Sequence, residues 1–448
     1  MAKCGSDICT ASFSLSLENY LRREEWKRFG AVSTPVDVVD FMIDVSGIKR
    51  WEGLSVLEPG CGFCSFTREI YCDHPDNRFW GVEINPKVYE VISKLFQPPC
   101  FRIVFGDFLL WQTDERFDLV IGNPPYGIPG SKRYPIRVPE EVREKYRKLF
   151  VTAKGKYNMY GYFIEKGVKL LKEGGKLVYI VPSTFMILDE FSKLREFLSR
   201  AGELDIYYLG MGVFEKKVSV SVIVVTKDPS LRGVLKLYEV RNYLTRDMKL
   251  WYTKTDFKGE IIRFENEETR KFEEGKPKLG DLFRLYTGPK SVEYYEHPKF
   301  SRVPKPGYVC VLKGNNIKPN RIDYDHCYTK YWIPKDSVRD FGDFLVVPHI
   351  VVGDTKGIRG TRIVAAIDDR GYPWQEQIHL IPRVPLSMDE LKKITAYLNS
   401  EEVQLYVRTL YKDITPHTTR TQLKLLPLPK EFEKYLKGPQ ASSATPSG

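Results

Sequence analysis

The run Phe117-Asp118-Leu119-Val120-Ile121-Gly122 leads directly into Asn123-Pro124-Pro125-Tyr126, and this junction limits the fold more than any other stretch. A short apolar run bounded by a turn reads as a buried strand. Two successive prolines can neither continue a ladder nor enter a helix interior, so the backbone stops, stiffly, at the rim of a sheet. In open α/β sheets that carboxyl edge is where ligands sit. Here Asn123 offers a side-chain oxygen, Pro124 a carbonyl and Tyr126 a flat aromatic face. A group with two in-plane N–H donors on a stackable ring fits such a set, and the exocyclic amine of adenine is one. A proline-rich turn with a half-buried tyrosine is the plain alternative.

The upstream sequence narrows the choice. Leu54-Ser55-Val56-Leu57-Glu58 reads as the first clear strand, running into Pro59-Gly60-Cys61-Gly62 and then a helix over Ser65–Tyr71. Strand, glycine turn and helix let the backbone approach a nucleotide closely. Ser65 stands where the dinucleotide fingerprint has its third glycine, and the turn by itself still admits a nicotinamide dinucleotide. The next strand, Phe79–Ile84, places Glu83 twenty-one residues after Gly62, where an acid accepts both ribose hydroxyls, with Ile84 against the adenine. Phe101–Phe105 is followed by Gly106-Asp107-Phe108, so Asp107 can accept from an adenine amino group and Phe108 can stack on its ring. Glu58, Glu83 and Asp107 thus share one rim. Three carboxylates repel a pyrophosphate, but they suit the ammonium, sulfonium, diol and adenine of S-adenosylmethionine.

A chain of 448 residues implies two domains, and a net charge of +11 favours an anionic partner. Between Glu296 and Asp323 there is no acid, whereas Lys299, Arg302, Lys305, Lys313, Lys318 and Arg321 are all basic; Ile414–Lys430 is acid-free too. No apolar run approaches the 18 residues of a membrane span, and the first residues lack a secretory h-region, so a cytoplasmic protein is expected. Eight cysteines in a chain of this length are read as no disulfide framework. The first fifteen residues read as a disordered leader and Leu17–Phe29 as a helix; Ser33-Thr34-Pro35 opens another, with proline at its first position. Cys61-x-x-Cys64 flanks the glycine turn and has no second pair, which disfavours a metal, and Pro99-Cys100 precedes a strand far from the Asn-Pro-Pro-Tyr rim, which disfavours a cytosine-methylating nucleophile.

The order Leu57–Gly62, Glu83, Gly106–Phe108 and Gly122–Tyr126 resembles the γ-class DNA adenine-N6 methyltransferases, and in particular the TaqI-type modification methyltransferases. The stretches Lys154–Gly161, Tyr208–Gly210, Val213-Phe214, Lys216–Ser219, Gly259–Phe264, Pro348–Val352 and Tyr372–Trp374 carry the likeness across roughly residues 25 to 430. The resemblance implies an α/β fold. A seven-stranded, Rossmann-like S-adenosylmethionine domain over 1–260 is followed by a mixed, β-rich target-recognition domain over 261–448. The strands after the Asn-Pro-Pro-Tyr junction are Lys176–Val181, Ile206–Leu209 and Val218–Thr226. It also implies transfer of a methyl group to a flipped-out adenine of a short duplex site such as TCGA, by a monomer whose restriction endonuclease acts separately. Methylation of RNA or of protein glutamine, and a non-catalytic specificity module, remain the alternatives.

By that likeness Asn123, Pro124, Tyr126 and Phe214 serve catalysis, Phe214 as an aromatic stacking on the extruded base. Thr34, Glu58, Gly60, Gly62, Glu83, Ile84, Asp107, Phe108, Asn123, Pro125 and Phe163 bind the cofactor, and no metal is needed. Lys132, Arg133, Lys313, Asn315, Asn316, Lys318, Lys356, Arg359 and Arg362 face DNA, and Pro416 fills the gap left in the duplex. Asn315 stands where the compared family member has arginine, the commonest guanine reader, so the recognition sequence stays open.

Overall fold

The computed structural model describes residues 6–9, 34–97, 99–128, 138–153, 158–215, 218–353, 363–415 and 417–436. They fall into two compact units, one ending at Arg263 and one starting at Phe264. No helix among the described residues is long and apolar enough to cross a membrane.

The first unit is an α/β sheet. Strands β1 (Ser55–Pro59), β2 (Arg78–Glu83), β3 (Phe101–Phe105), β4 (Phe117–Gly122) and β5 (Leu171–Pro182) are mutually parallel, and β7 (Val220–Thr226) runs antiparallel between β5 and β6 (Glu203–Gly210). All seven expected strands are present, but among the described residues the sheet has nine, in the order β3-β2-β1-β4-β5-β7-β6-β8-β9. The added β8 (Leu235–Asn242) and β9 (Asp247–Lys254) form a hairpin on β6. Sequence reading took this region for short polar segments, because β9 is exposed or half-exposed along its whole length and so lacks the apolar alternation of a covered strand.

Helices α1 (Val36–Val45), α2 (Ser65–Asp73), α3 (Pro86–Leu95), α4 (Glu140–Leu149), α5 (Met159–Lys169) and α6 (Ser192–Ala201) belong to this unit. On α1 the residues Val38, Val39, Phe41 and Met42 are buried, a spacing that puts one apolar stripe on the core. Pro35 is its N-cap rather than its first helical residue, with ψ at 141°. Asn85 caps α3 by accepting from Lys87 and Val88 N–H, and Pro86 opens that helix. The strand order reverses at β1, whose neighbours are β2 and β4, so the crevice lies at the carboxyl ends of β1 and β4.

Two expectations fail. Ser6–Cys9 is a 3₁₀ turn with Ile8 buried, and Cys9 is disulfide-bonded to Cys72 on α2, so this part of the leader is ordered. Among the described residues another disulfide joins Cys310 to Cys327. Which cysteines meet depends on the fold and not on their number. The helix expected at Leu17–Phe29 lies outside the described residues.

The second unit holds a four-stranded antiparallel sheet, β10 (Phe283–Thr287), β17 (Ile378–Pro382), β15 (His349–Gly353) and β16 (Val364–Asp368), in that spatial order. Two small antiparallel pairs lie beside it in the chain, β11 (Tyr308–Cys310) with β14 (Trp332–Pro334) and β12 (Ile317–Lys318) with β13 (Arg321–Ile322). Trp374, Tyr294, Ile333, Leu312 and Val351 are fully buried at its core.

Candidate active site

Four parallel strands end on one rim, and each delivers a polar group there. Glu58, near the end of β1, is 2% exposed and accepts from Thr67 N and Thr67 Oγ1, both at 2.8 Å, and from Phe66 N at 3.4 Å. Its first task is therefore to cap the N-terminus of α2, a role that no short sequence pattern signals because the partners lie eight and nine residues away. Burial pushes its pKa up to about 7 against those hydrogen bonds. Glu83, at the end of β2, accepts from Gly62 N at 2.9 Å and Asn85 N at 2.7 Å, so it ties the glycine turn to the start of α3. Burial raises its pKa too.

Asp107 follows β3. Its Oδ1 accepts from Leu109 N at 2.9 Å, and its Oδ2 accepts from the Tyr146 hydroxyl of α4 at 2.5 Å. Phe108 beside it is buried and packs on Phe163 of α5 with ring centroids 5.0 Å apart. Gly60 has φ at +63°, and a Cβ there would lie 3.6 Å from the Phe163 ring.

An adenosyl cofactor fits this rim. Gly62 and Gly106 both have positive φ, and a Cβ on either would meet nothing within 4 Å, so open space lies over both turns. Ile84 is 47% exposed between them, an apolar side chain with room for a ring against it. A carboxylate has about four acceptor positions, so Glu83 and Asp107 keep capacity for hydroxyl and amino donors beyond the bonds they already make.

Asn123 directly follows β4 and is half-buried, and Pro124 behind it is buried. The Asn123 Nδ2 donates to Thr34 Oγ1 at 3.1 Å, which turns Oδ1 into the acceptor end of the amide. The Tyr126 hydroxyl donates to the Ile180 carbonyl of β5 at 2.9 Å, and its ring sits edge-on to Tyr160. Burial holds the Tyr126 phenol above its usual pKa, so it stays a donor.

Helix α5 fixes the loops around this rim. Asn158, its N-cap, accepts from Gly127 N at 2.8 Å, and Met159 N donates to the Gly127 carbonyl at 2.9 Å. Glu165, fully buried, accepts from Val151 N and Thr152 N at the end of α4. Lys166 donates to the Leu109 carbonyl at 3.0 Å and to the Trp111 carbonyl, with its ammonium 5.3 Å from the Phe108 ring centre. Burial brings its pKa down to about 8. Tyr146, Asn158 and Lys166 were not singled out from sequence; the only signal was that Asn158 lies in the Lys154–Gly161 stretch.

Other expected site residues separate into groups. Phe214 is half-buried against the core cluster of the first unit. In the second unit Lys313 and Lys318 are half-exposed and Asn315 is exposed. Asn316 is a correction: it is fully buried, its Oδ1 accepts from Lys313 N, and its Nδ2 donates to the Asp323 and His326 carbonyls. It shapes the loop that carries Asn315 and has no face toward solvent. The Cys310–Cys327 disulfide closes that same loop. Lys132, Arg133, Lys356, Arg359, Arg362 and Pro416 lie outside the described residues.

Two family models match the chain, an Eco57I restriction-modification methylase over residues 77–214 and a TaqI-like C-terminal specificity domain over residues 309–428. The chain is 42% identical over 422 residues to the type II methyltransferase M.TthHB8I of Thermus thermophilus, covering 93% of this chain and 95% of that one. It is 31% identical over 169 residues to the modification methylase CviBIII of Paramecium bursaria Chlorella virus NC1A, covering 37% of this chain and 41% of that one. Among solved structures, a nuclease-deletion mutant of the type ISP restriction-modification enzyme LlaGI, in complex with a DNA substrate mimic, matches 95% of this chain and 47% of its own, with TM-score 0.58 and 13% identity. That likeness is one of fold.

Proposed function

The chain belongs to the TaqI-type type II DNA methyltransferases of restriction-modification systems, whose cofactor is S-adenosylmethionine, and on that premise we propose that it methylates N6 of an adenine swung out of a short duplex site. The observation that carries the adenine reading is the placement of Asn123: it follows β4 at the switch point of the sheet, with its Nδ2 donating to Thr34, beside the Pro124 carbonyl and the Tyr126 ring.

When bound, S-adenosylmethionine supplies an electrophilic methyl group on a sulfonium. Glu83 would accept from its ribose hydroxyls and Asp107 from its adenine amine, and Ile84, Phe108, Phe163, Thr34, Glu58, Gly60, Gly62 and Pro125 would hold the rest of it. The oxygens of Asn123 and Pro124 accept the two hydrogens of the target amine. That draws the nitrogen lone pair out of conjugation and compensates the positive charge growing there, which is electrostatic preorganisation with positioning. Tyr126 and Phe214 receive the extruded base. Lys313, Asn315 and Lys318 contact the duplex, as do Lys132, Arg133, Lys356, Arg359 and Arg362, with Pro416 filling the vacated stack; these last six rest on the family likeness. The enzyme acts as a monomer on a short palindrome such as TCGA, and the cognate endonuclease is a separate chain.

The test is to incubate the protein with methyl-labelled cofactor and duplex DNA, RNA or protein, then to hydrolyse the products. N6-methyladenine from duplex DNA is expected, and Asn123→Ala should cut the rate by about a thousandfold while cofactor affinity stays within about threefold of the parent. Label in cytosine, RNA or glutamine, or brisk turnover by that variant, overturns the reading.

A further inference from the structure

We propose that Asn158 is a positioning residue for methyl transfer, holding the loop of Asn123 through Gly127 in its reactive shape. This rests on the reading of Asn123 as the amine acceptor.

Asn158 occupies the N-cap of α5 with extended backbone, φ at −105° and ψ at 142°, yet its side chain makes no bond to the helix. Asparagine at that position ordinarily accepts from the N–H two or three residues on. Here Oδ1 accepts instead from Gly127 N, 2.8 Å away and 31 residues back in the chain. The next residue completes the grip, because Met159 N donates to the Gly127 carbonyl at 2.9 Å. Both polar groups of one peptide residue are therefore held by the first turn of one helix. Gly127 has φ at +134°, a conformation outside the ordinary range of residues with a side chain, so the turn after Tyr126 needs an external restraint to keep one shape.

The rest of the loop is restrained on its other sides. Asn123 is fastened to Thr34 and the Tyr126 hydroxyl to Ile180, while Tyr126 rests edge-on against Tyr160, also in the first turn of α5. Without the Asn158 side chain Gly127 keeps only the main-chain bond from Met159, so its own N–H is no longer fixed and the turn after Tyr126 gains freedom to shift. A shift of about 1 Å at a reacting centre can lower a rate by two orders of magnitude without weakening binding.

The bond uses Asn158 only as an acceptor, and this makes the proposal separable from a plain folding role. Asn158→Asp keeps an acceptor of the same reach. Asn158→Ser is a strong N-cap for α5 but is too short to span to Gly127. Asn158→Ala removes the bond to Gly127 and supplies no cap in its place. Each variant is assayed in single turnover with methyl-labelled S-adenosylmethionine and a duplex containing every six-base sequence, beside measurements of cofactor affinity and thermal midpoint. The expected result is a roughly ten- to hundredfold lower rate for the serine variant, with cofactor affinity, the KM for DNA and the thermal midpoint near the parent. The aspartate variant should stay within about threefold of the parent rate. A serine variant as fast as the parent overturns the proposal, even if the alanine variant fails to fold. So does an aspartate variant as slow as serine. Asn123→Ala is run alongside: if it retains turnover, the acceptor assignment fails, a result distinct from either outcome at Asn158.

Discussion

Glu58, Glu83 and Asp107 in the first unit and Asp368 in the second are all acids that accept backbone N–H groups, yet they serve different ends. The first three sit at strand ends and hold turns at the carboxyl rim of the sheet: the start of α2, the glycine turn and the loop carrying Phe108. Asp368 is fully buried at the end of β16. It accepts from the Tyr324 hydroxyl, from Arg370, Gly371 and Tyr372 N–H, and from Trp374 Nε1 at 2.7 Å. It thereby folds the Tyr372-Pro373-Trp374 loop onto the core. Gln404, also buried, pairs with both polar groups of Ile363. His349 and His379 are fully buried and bonded to each other at 2.8 Å. Polar groups in the first unit shape a site, and those in the second replace part of an apolar core. Substitutions in the first should therefore register in binding or rate, and in the second in stability.

The largest expected effect is at Asp368. Asp368→Ala leaves five donors without their acceptor, and should lower the stability of the second unit by about 3–5 kcal/mol, read as a drop in its denaturant midpoint. A change below about 1 kcal/mol would break the contrast between the units.

Tyr146→Phe is smaller and tests the first unit. It removes the hydroxyl held at 2.5 Å to Asp107 while keeping the ring. Calorimetry should show S-adenosylmethionine binding about tenfold more weakly, roughly 1.4 kcal/mol, with the thermal midpoint almost unmoved. An unchanged affinity together with a lower midpoint would place Tyr146 with the second kind of residue.

The last effect is a dependence on pH, read in stability and not in affinity. Burial keeps His349 and His379 below the usual imidazole pKa of 6.5. The unfolded chain takes up protons near pH 6.5 that the folded unit refuses, so the pair costs nothing above about pH 7 and lowers stability as pH falls through that value. The limiting slope is about 1.4 kcal/mol per pH unit for each histidine. Melts between pH 7.5 and 5.5 should show the second unit weakening in acid, and His379→Gln should make the fall shallower. An identical slope in that variant would remove the buried pair from the account.

That the strand ends share one rim of the sheet was legible in the sequence because the signals are local. A strand ending in two prolines, a strand ending in Gly60-Cys61-Gly62 and the acids Glu83 and Asp107 each occupy a few consecutive residues, and parallel strands bring such ends to one edge. The β8–β9 hairpin was missed because no residue of β9 is fully buried, so it carries no clear alternation to read. Asn316 was misread for the opposite reason: an asparagine between two lysines looks exposed, and only the fold shows it filled by Lys313, Asp323 and His326. The disulfide of Cys9 with Cys72 spans 63 residues, a separation over which spacing says nothing about proximity.

The sequence by itself determined which residue types arrive at the rim and in what order, since alternation, glycine and proline act through neighbouring dihedrals. Only the tertiary structure decided how each of them is used. Glu58 caps α2, Glu83 ties Gly62 to Asn85, Tyr146 reaches Asp107, and Asn158 leaves its own helix to hold Gly127. A hydrogen bond forms where a donor and an acceptor come within about 3 Å, and for partners tens of residues apart that meeting exists only once the sheet and helices have packed.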